Sequence, residues 1–154
     1  MNKIFLTSDH HFFHQNIIKY CNRPFNSYQE MNEVMIKKWN EKVGKDDIVI
    51  HLGDFCLFGK DKAKLIREKL NGEIILVMGN HDYENMKDIG FIVVKGNLQI
   101  GNLILSHRPL LKEDIPKGFI NVHGHIHDKK SYNGINVSVE RTNYEPVELK
   151  EISF

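Results

Sequence analysis

Thiols are scarce in this chain: its 154 residues include two cysteines, Cys21 and Cys56, which match no pair-spaced zinc motif. So few thiols exclude a disulfide scaffold, and sparse use without an export signal fits a reducing cytosol. A dominant charge is missing too, since 21 Lys and Arg against 20 Asp and Glu leave a net charge of +1. No global basic field would draw the protein onto extended nucleic acid or an anionic membrane. Low-complexity tracts, internal repeats and dividing linkers are absent. The apolar start of "MNKIFLTSDHH" meets Asp9 and two histidines almost at once, which reads as a buried strand rather than a signal or membrane segment. These exclusions leave a single cytoplasmic domain over residues 1–154, long enough for a real hydrophobic core.

Histidine is what the chain has in plenty: His10, His11, His14, His51, His81, His107, His123, His125 and His127. Most stand beside Asp, Asn or Gly at the ends of apolar runs. Those runs set the expected architecture. Lys3 to Ser8 reads as a strand. Ser27 and Glu30 form a capping box ahead of Met31, Val34, Met35 and Trp39 at helical spacing, and Gly44 closes that helix. "DIVIHL" is a second strand, Asp61 to Leu70 a second amphipathic helix ending at Asn71-Gly72, and "IILVM" a third strand. Alternating strands and helices predict parallel neighbours with ligands at their carboxyl ends. The second half holds short strand-like runs punctuated by Gly96-Asn97, Gly101-Asn102 and Asn133-Gly134, which predicts hairpins and a more antiparallel region.

Five polar clusters follow apolar runs: "SDHH", "LGDF", "GNHD", "LSHRP" and "HGHIH". They offer oxygen and imidazole ligands with no well-placed thiolate, a set suited to Mn, Fe, Zn or Ni. Seven candidates, Asp9, His11, Asp54, Asn80, His107, His125 and His127, exceed one tetrahedral ion and suit two ions sharing a carboxylate. The i, i+2 spacing in "DHH" and "HGHIH" would place both groups of each pair on one face of an extended segment. Gly53, Gly79 and Gly124 each precede a ligand candidate, permitting close backbone approach.

These residues resemble the calcineurin-like metallophosphoesterases, whose signature runs DxH, GD, GNH followed by an acid, a lone His and GHxH. Here it stands as Asp9-His10-His11, Gly53-Asp54, Gly79-Asn80-His81-Asp82, His107 and Gly124-His125-Ile126-His127. "NII", "RPF", "EMN", "LGDF" and "NVSVERTNYEPV" are similar to a compact bacterial and phage-type branch. The resemblance implies an α/β fold, a layered sandwich of mixed β-sheets flanked by helices. It implies that Asp9, His11, Asp54 and His127 hold one metal, with Asp54 bridging to a second completed by Asn80, His107 and His125. His81 would face the substrate phosphate, stabilising charge or protonating the leaving oxygen. Asp82 either supports these groups or caps the next helix. Two divalent ions would make hydroxide available near neutral pH for in-line attack on phosphorus, with no covalent phosphoenzyme.

The expected activity is hydrolysis of a small phosphoester, including nucleotides, with manganese favoured and a diester preferred over a monoester. A phosphomonoesterase, a non-catalytic scaffold and a metal storage or sensing protein are the rival readings. The serine/threonine protein phosphatases carry a further Asp shortly after GD where this chain has Phe55-Cys56-Leu57, which argues against that branch. Arg108, directly after a ligand candidate, and Arg23, in the loop before the first long helix, are candidate phosphate contacts, the plainer reading of Arg23 being a surface residue. His10, His51 and His123 read as structural, His14 as a neighbour of the first metal loop.

Overall fold

The computed structural model describes residues 2–152. Strand β1 (Ile4–Thr7) is followed by α1 (Gln15–Tyr20), α2 (Tyr28–Lys42), β2 (Ile48–His51), α3 (Gly59–Arg67), β3 (Glu73–Val77) and β4 (Phe91–Val94). Next come β5 (Leu98–Ile100), β6 (Leu103–Ser106), β7 (Ile120–His123), β8 (Gly134–Asn136) and β9 (Val147–Glu148). The strands form a five-stranded sheet, β4-β3-β2-β1-β9, and a four-stranded sheet, β5-β6-β7-β8. Strands β1 to β4 are mutually parallel and β9 closes the edge antiparallel to β1.

Strand periodicity explains the layering. Phe5, Val49, Ile74 and Leu76 face the helices, where they pack with Met31, Met35, Trp39, Ala63 and Ile66. Their neighbours Leu6, Ile50 and Val77 point the other way and pack on Leu103, Leu105 and Val122 of the smaller sheet. The result is two mixed sheets face to face, with helices flanking the larger. Helix α2 starts at Ser27, whose hydroxyl accepts from the Glu30 amide at 3.2 Å. Its buried Trp39 anchors the far end by donating to the Asn71 carbonyl at 3.0 Å. Among the described residues no helix is long and apolar enough to cross a membrane.

The second half departs from the antiparallel expectation. Strand β4 joins the larger sheet parallel to β3, and β6-β7 and β7-β8 are also parallel. Among the described residues, β5-β6, across Gly101-Asn102, is the antiparallel hairpin of this half. Gly96-Asn97 instead carries the chain from one sheet to the other, and Asn133-Gly134 opens β8. A turn dipeptide marks a bend without choosing the strand's partner, and parallel pairing needs a crossover segment. In this half those crossovers are loops rather than long helices, so periodicity carried no sign of them. The consequence is functional: the crossover after β6 begins with His107, and that after β7 carries His125 and His127.

Candidate metal centre

All five polar clusters converge at the carboxyl ends of β1, β2, β3, β6 and β7. The loops after β1 and β2 continue to pair beyond their strands: Asp9 N donates to the Gly53 carbonyl at 2.9 Å, His11 N to Asp54 O at 3.0 Å, and Phe12 N to Phe55 O at 2.9 Å. Five ligand candidates sit in the left-handed region, with φ of 60° at Asp9, 52° at His11, 56° at Asp54, 72° at His125 and 52° at His127. Non-glycine residues there cost of order 1 kcal/mol or more each, and such strain concentrates at functional sites. The i, i+2 pairs therefore do not meet through strand pleating, as their spacing predicts. Left-handed turns aim each side chain separately, and His125 and His127 diverge into different groups.

One group comprises Asp9, His11 and His127, the other Asp54, His107 and His125, each offering donor atoms within 4.8 Å of one another. In the first, His11 Nε2 lies 3.7 Å and His127 Nε2 3.9 Å from Asp9 Oδ1. In the second, His107 Nε2 lies 3.4 Å from Asp54 Oδ2, 3.1 Å from His125 Nδ1 and 3.0 Å from Asn80 Oδ1. Asp54 Oδ2 is also 3.5 Å from His11 Nε2, so this carboxylate stands between the groups. Its other oxygen accepts the His81 amide at 2.8 Å.

The donor chemistry fits divalent cations. Asp9 Oδ1 and His11 Nε2 are buried without a hydrogen-bond partner, a costly state unless a cation meets both. His107 Nδ1 donates to the Leu52 carbonyl at 2.7 Å, so the neutral ring turns the lone pair of Nε2 toward the Asp54 carboxylate. Lone pairs converging on lone pairs call for positive charge. Burial opposes protonation of His107, yet Asp54 and Asp9 raise its pKa. Burial likewise opposes charge on Asp9, but the adjacent His11, His107 and Ser8 hold its carboxyl well below the ordinary carboxylate range. Asp9 and Asp54 stay ionised and the pKa values of His107 and His127 are raised, while burial lowers that of His125; the negative charge gathered here is one that attracts metal ions.

The backbone is shaped to admit these groups. A Cβ on Gly124 would overlap the Ser8 hydroxyl and the Asp9 carboxylate. One on Gly53, at φ 109°, would lie 2.6 Å from both the Gly79 nitrogen and His107 Nδ1. Asp82 ties two loops together, Oδ2 accepting from the amides of Asp54 at 2.6 Å and Gly79 at 2.8 Å, and Oδ1 from Phe55 at 3.0 Å. It makes no cap to the following 3-10 helix, Glu84–Ile89.

His81 is exposed, its ring centroid 5.6 Å from that of His11. The His14 ring lies tilted to that of His11 with centroids 5.5 Å apart, and burial together with the His11 charge lowers its pKa to about 4. Arg108 is exposed and lines an open cavity of about 370 Å³ with Asn80 and His107. Arg23 lies elsewhere than the sequence reading places it: its side chain is fully buried, neither at the surface nor facing the centre. It donates to the carbonyls of His10 at 2.6 Å and Asp9 at 2.7 Å and pairs with Glu140 at 2.8 Å. His10 and His51, both wholly buried, bond to each other at 2.8 Å, and burial lowers both pKa values. His123 bonds the Gly124 carbonyl and Ser131.

Glu140 escaped the sequence reading. Its Oε2 accepts from His127 Nδ1 at 2.9 Å and from Arg23, turning the imidazole's Nε2 toward Asp9. Burial opposes a proton on His127, but Cys21 and Glu140 beside it raise its pKa to about 10. Cys21 was likewise unexpected there: its sulfur lies with His127 and Glu140 within 4.8 Å. Glu140 falls inside "NVSVERTNYEPV", but no spacing rule links it to a histidine across the β8 strand.

The chain is 45% identical to an uncharacterized protein of Methanocaldococcus jannaschii over 161 residues, covering 97% of this chain and 88% of that one. A protein of unknown function from Aquifex aeolicus shares its fold with a TM-score of 0.77 and 26% identity, covering 98% of this chain and 97% of that one. The nuclease MPE of Pseudomonas putida aligns with a TM-score of 0.54 at 19% identity, over 80% of this chain and 61% of its own. Residues 2–152 match the calcineurin-like phosphoesterase family, to which this chain belongs.

Proposed function

We propose that this chain is a dinuclear-metal-dependent phosphoesterase, one domain over residues 1–154 working in the cytoplasm, that hydrolyses a small phosphodiester. The observation that carries the reading is Asp54 Oδ2, 3.4–3.5 Å from an imidazole of each ligand group. Asp9, His11 and His127 would hold one ion and Asn80, His107 and His125 the other, with Asp54 placed to serve both. Manganese is the favoured ion for this oxygen and imidazole set, ahead of Fe, Zn or Ni. When bound, two such ions supply Lewis-acid charge that acidifies water and neutralises phosphoryl oxygens.

The chain's own residues do the rest. His81, exposed at the rim beside His11, meets the phosphate and either stabilises its developing charge or gives a proton to the leaving oxygen. Its backbone amide is fixed on Asp54, so ring and bridging carboxylate keep register. Arg108 borders the Asn80 and His107 side of the centre, placed to contact a phosphate oxygen. Arg108 as the arginine bordering the centre, with Arg23 buried, gives little side-chain charge to hold a dianion, which favours a diester over a monoester.

The experiment is hydrolysis of p-nitrophenyl phosphate and bis-p-nitrophenyl phosphate with manganese, comparing the native protein with Asp54→Asn and His81→Ala. Diester turnover lost in both variants supports the reading. Faster monoester turnover overturns the diester preference, and a metal-loaded protein inert to both esters overturns the activity.

A further inference from the structure

The two loops that carry Asp9, His11 and Asp54 do not end at the metal ligands. Beyond His11 the chain runs through Phe13 and His14, and beyond Asp54 through Leu57 and Phe58. The loops stay zipped by a bridge between Phe12 and Cys56 and by Leu57 N donating to Phe12 O at 3.0 Å. Together with Tyr28 and Lys62 they enclose a cavity of about 490 Å³. His14 belongs to both places, lining this cavity while its ring lies 5.5 Å from that of His11. The cavity thus lies next to the centre, with one imidazole between them.

Its chemistry is specific. Phe13 and Tyr28 rings lie 5.7 Å apart, and Lys62 Nζ sits 5.0 Å from the Phe13 ring. Phe58 is 67% exposed and holds φ at 69°, so it pays backbone strain while its ring gains little burial. None of the lining residues carries a carboxylate, whereas Gln15 and Asn16 add carboxamides. Aromatic faces, hydrogen-bonding amides and one cation match a flat heteroaromatic group joined to an anion.

We propose that this cavity is a subsite for the nucleoside arm of a phosphodiester, with Phe58 as its stacking face and Lys62 as its cation. The inference rests on the phosphodiesterase reading and names its substrate class: nucleotidyl diesters rather than simple alkyl or lipid ones. The nucleoside arm binds against Phe13, Tyr28 and Phe58 while the phosphate lies at the metal centre.

Thymidine 5′-(p-nitrophenyl phosphate) and methyl p-nitrophenyl phosphate share a leaving group and differ in the other arm, so comparing them on the manganese-loaded protein isolates the subsite. The thymidine ester is expected to show a KM lower by about tenfold, the range of one base stacked on an aromatic ring. Phe58→Ala and Lys62→Gln should each erase most of that preference and leave methyl ester turnover and the melting temperature unchanged. Equal KM for the two esters, or a preference that survives both substitutions, overturns the subsite while leaving the phosphodiesterase reading intact. If neither ester is hydrolysed, that reading fails, and calorimetry still decides the subsite. Thymidine 5′-monophosphate binding more tightly than methyl phosphate, with the difference lost in Phe58→Ala, supports it; equal binding overturns it.

Discussion

Asp9, His11 and His127 sit against a scaffold of buried charge, whereas the group of Asp54, His107 and His125 reaches, through His107, a groove lined by the exposed Asn80 and Arg108. Behind the first group, Arg23 and Glu140 hold both backbone and imidazole in place. Behind the second stand the Leu52 carbonyl on His107 and the Asp82 carboxylate on the amides of Asp54, Phe55 and Gly79. The first group is backed by side-chain charge, the second by backbone and loop contacts beside an open groove. Asp54 stands between them, its Oδ2 3.5 Å from His11 and 3.4 Å from His107.

Removing that shared ligand should have the largest effect. Asp54→Asn keeps shape but removes the charge facing both groups, and turnover of the better ester should fall by about a thousandfold. Metal analysis of the variant should show both sites weakened rather than one. Arg23→Ala comes next, because it leaves the buried Glu140 carboxylate with His127 as its remaining partner and takes the donor from the Asp9 and His10 carbonyls; urea unfolding should register a loss of about 3 kcal/mol. Subtler and more selective is Glu140→Gln, which keeps the volume but loosens His127. Manganese affinity at the first group should drop about 10–100-fold with the second unaffected, as read by titration with a paramagnetic probe. Asn80→Ala should do the reverse, weakening the second group alone by about tenfold.

The smallest effect is a pH dependence, and its sign follows from His127. The raised pKa, about 10 against an ordinary 6.5, means that its contacts stabilise the metal-free fold fully below about pH 6.5 and are lost as pH rises through about 10. Metal binding must displace that proton. Manganese should therefore bind more tightly as pH rises, by up to about tenfold per unit for each proton released. The melting temperature gained on adding manganese should be larger near pH 8.5 than near pH 6.5.

The first half of the chain was legible because its signals are local. Ser27 caps α2, apolar spacing places Met31, Met35 and Trp39 on one face, and short apolar strands lead into Asp9, Asp54 and Asn80. Parallel pairing of β1, β2 and β3 follows from the helices between them. The second half lacks those helices, so its parallel strands read as hairpins from Gly96-Asn97 and Asn133-Gly134. In the centre, residue types and order were legible while aim was not. Left-handed φ at Asp9, His11, Asp54, His125 and His127 is set by loop packing that no spacing rule encodes. Arg23 and Glu140 were hidden for a related reason, since their roles depend on a pairing across 117 positions of chain.

The most direct test is a crystal of the native protein grown with manganese, with anomalous scattering used to locate the metal. Two peaks are expected, one among Asp9, His11 and His127 and one among Asn80, His107 and His125, both touching Asp54. A single peak, or two peaks of which Asp54 contacts only one, would contradict a dinuclear centre shared through Asp54.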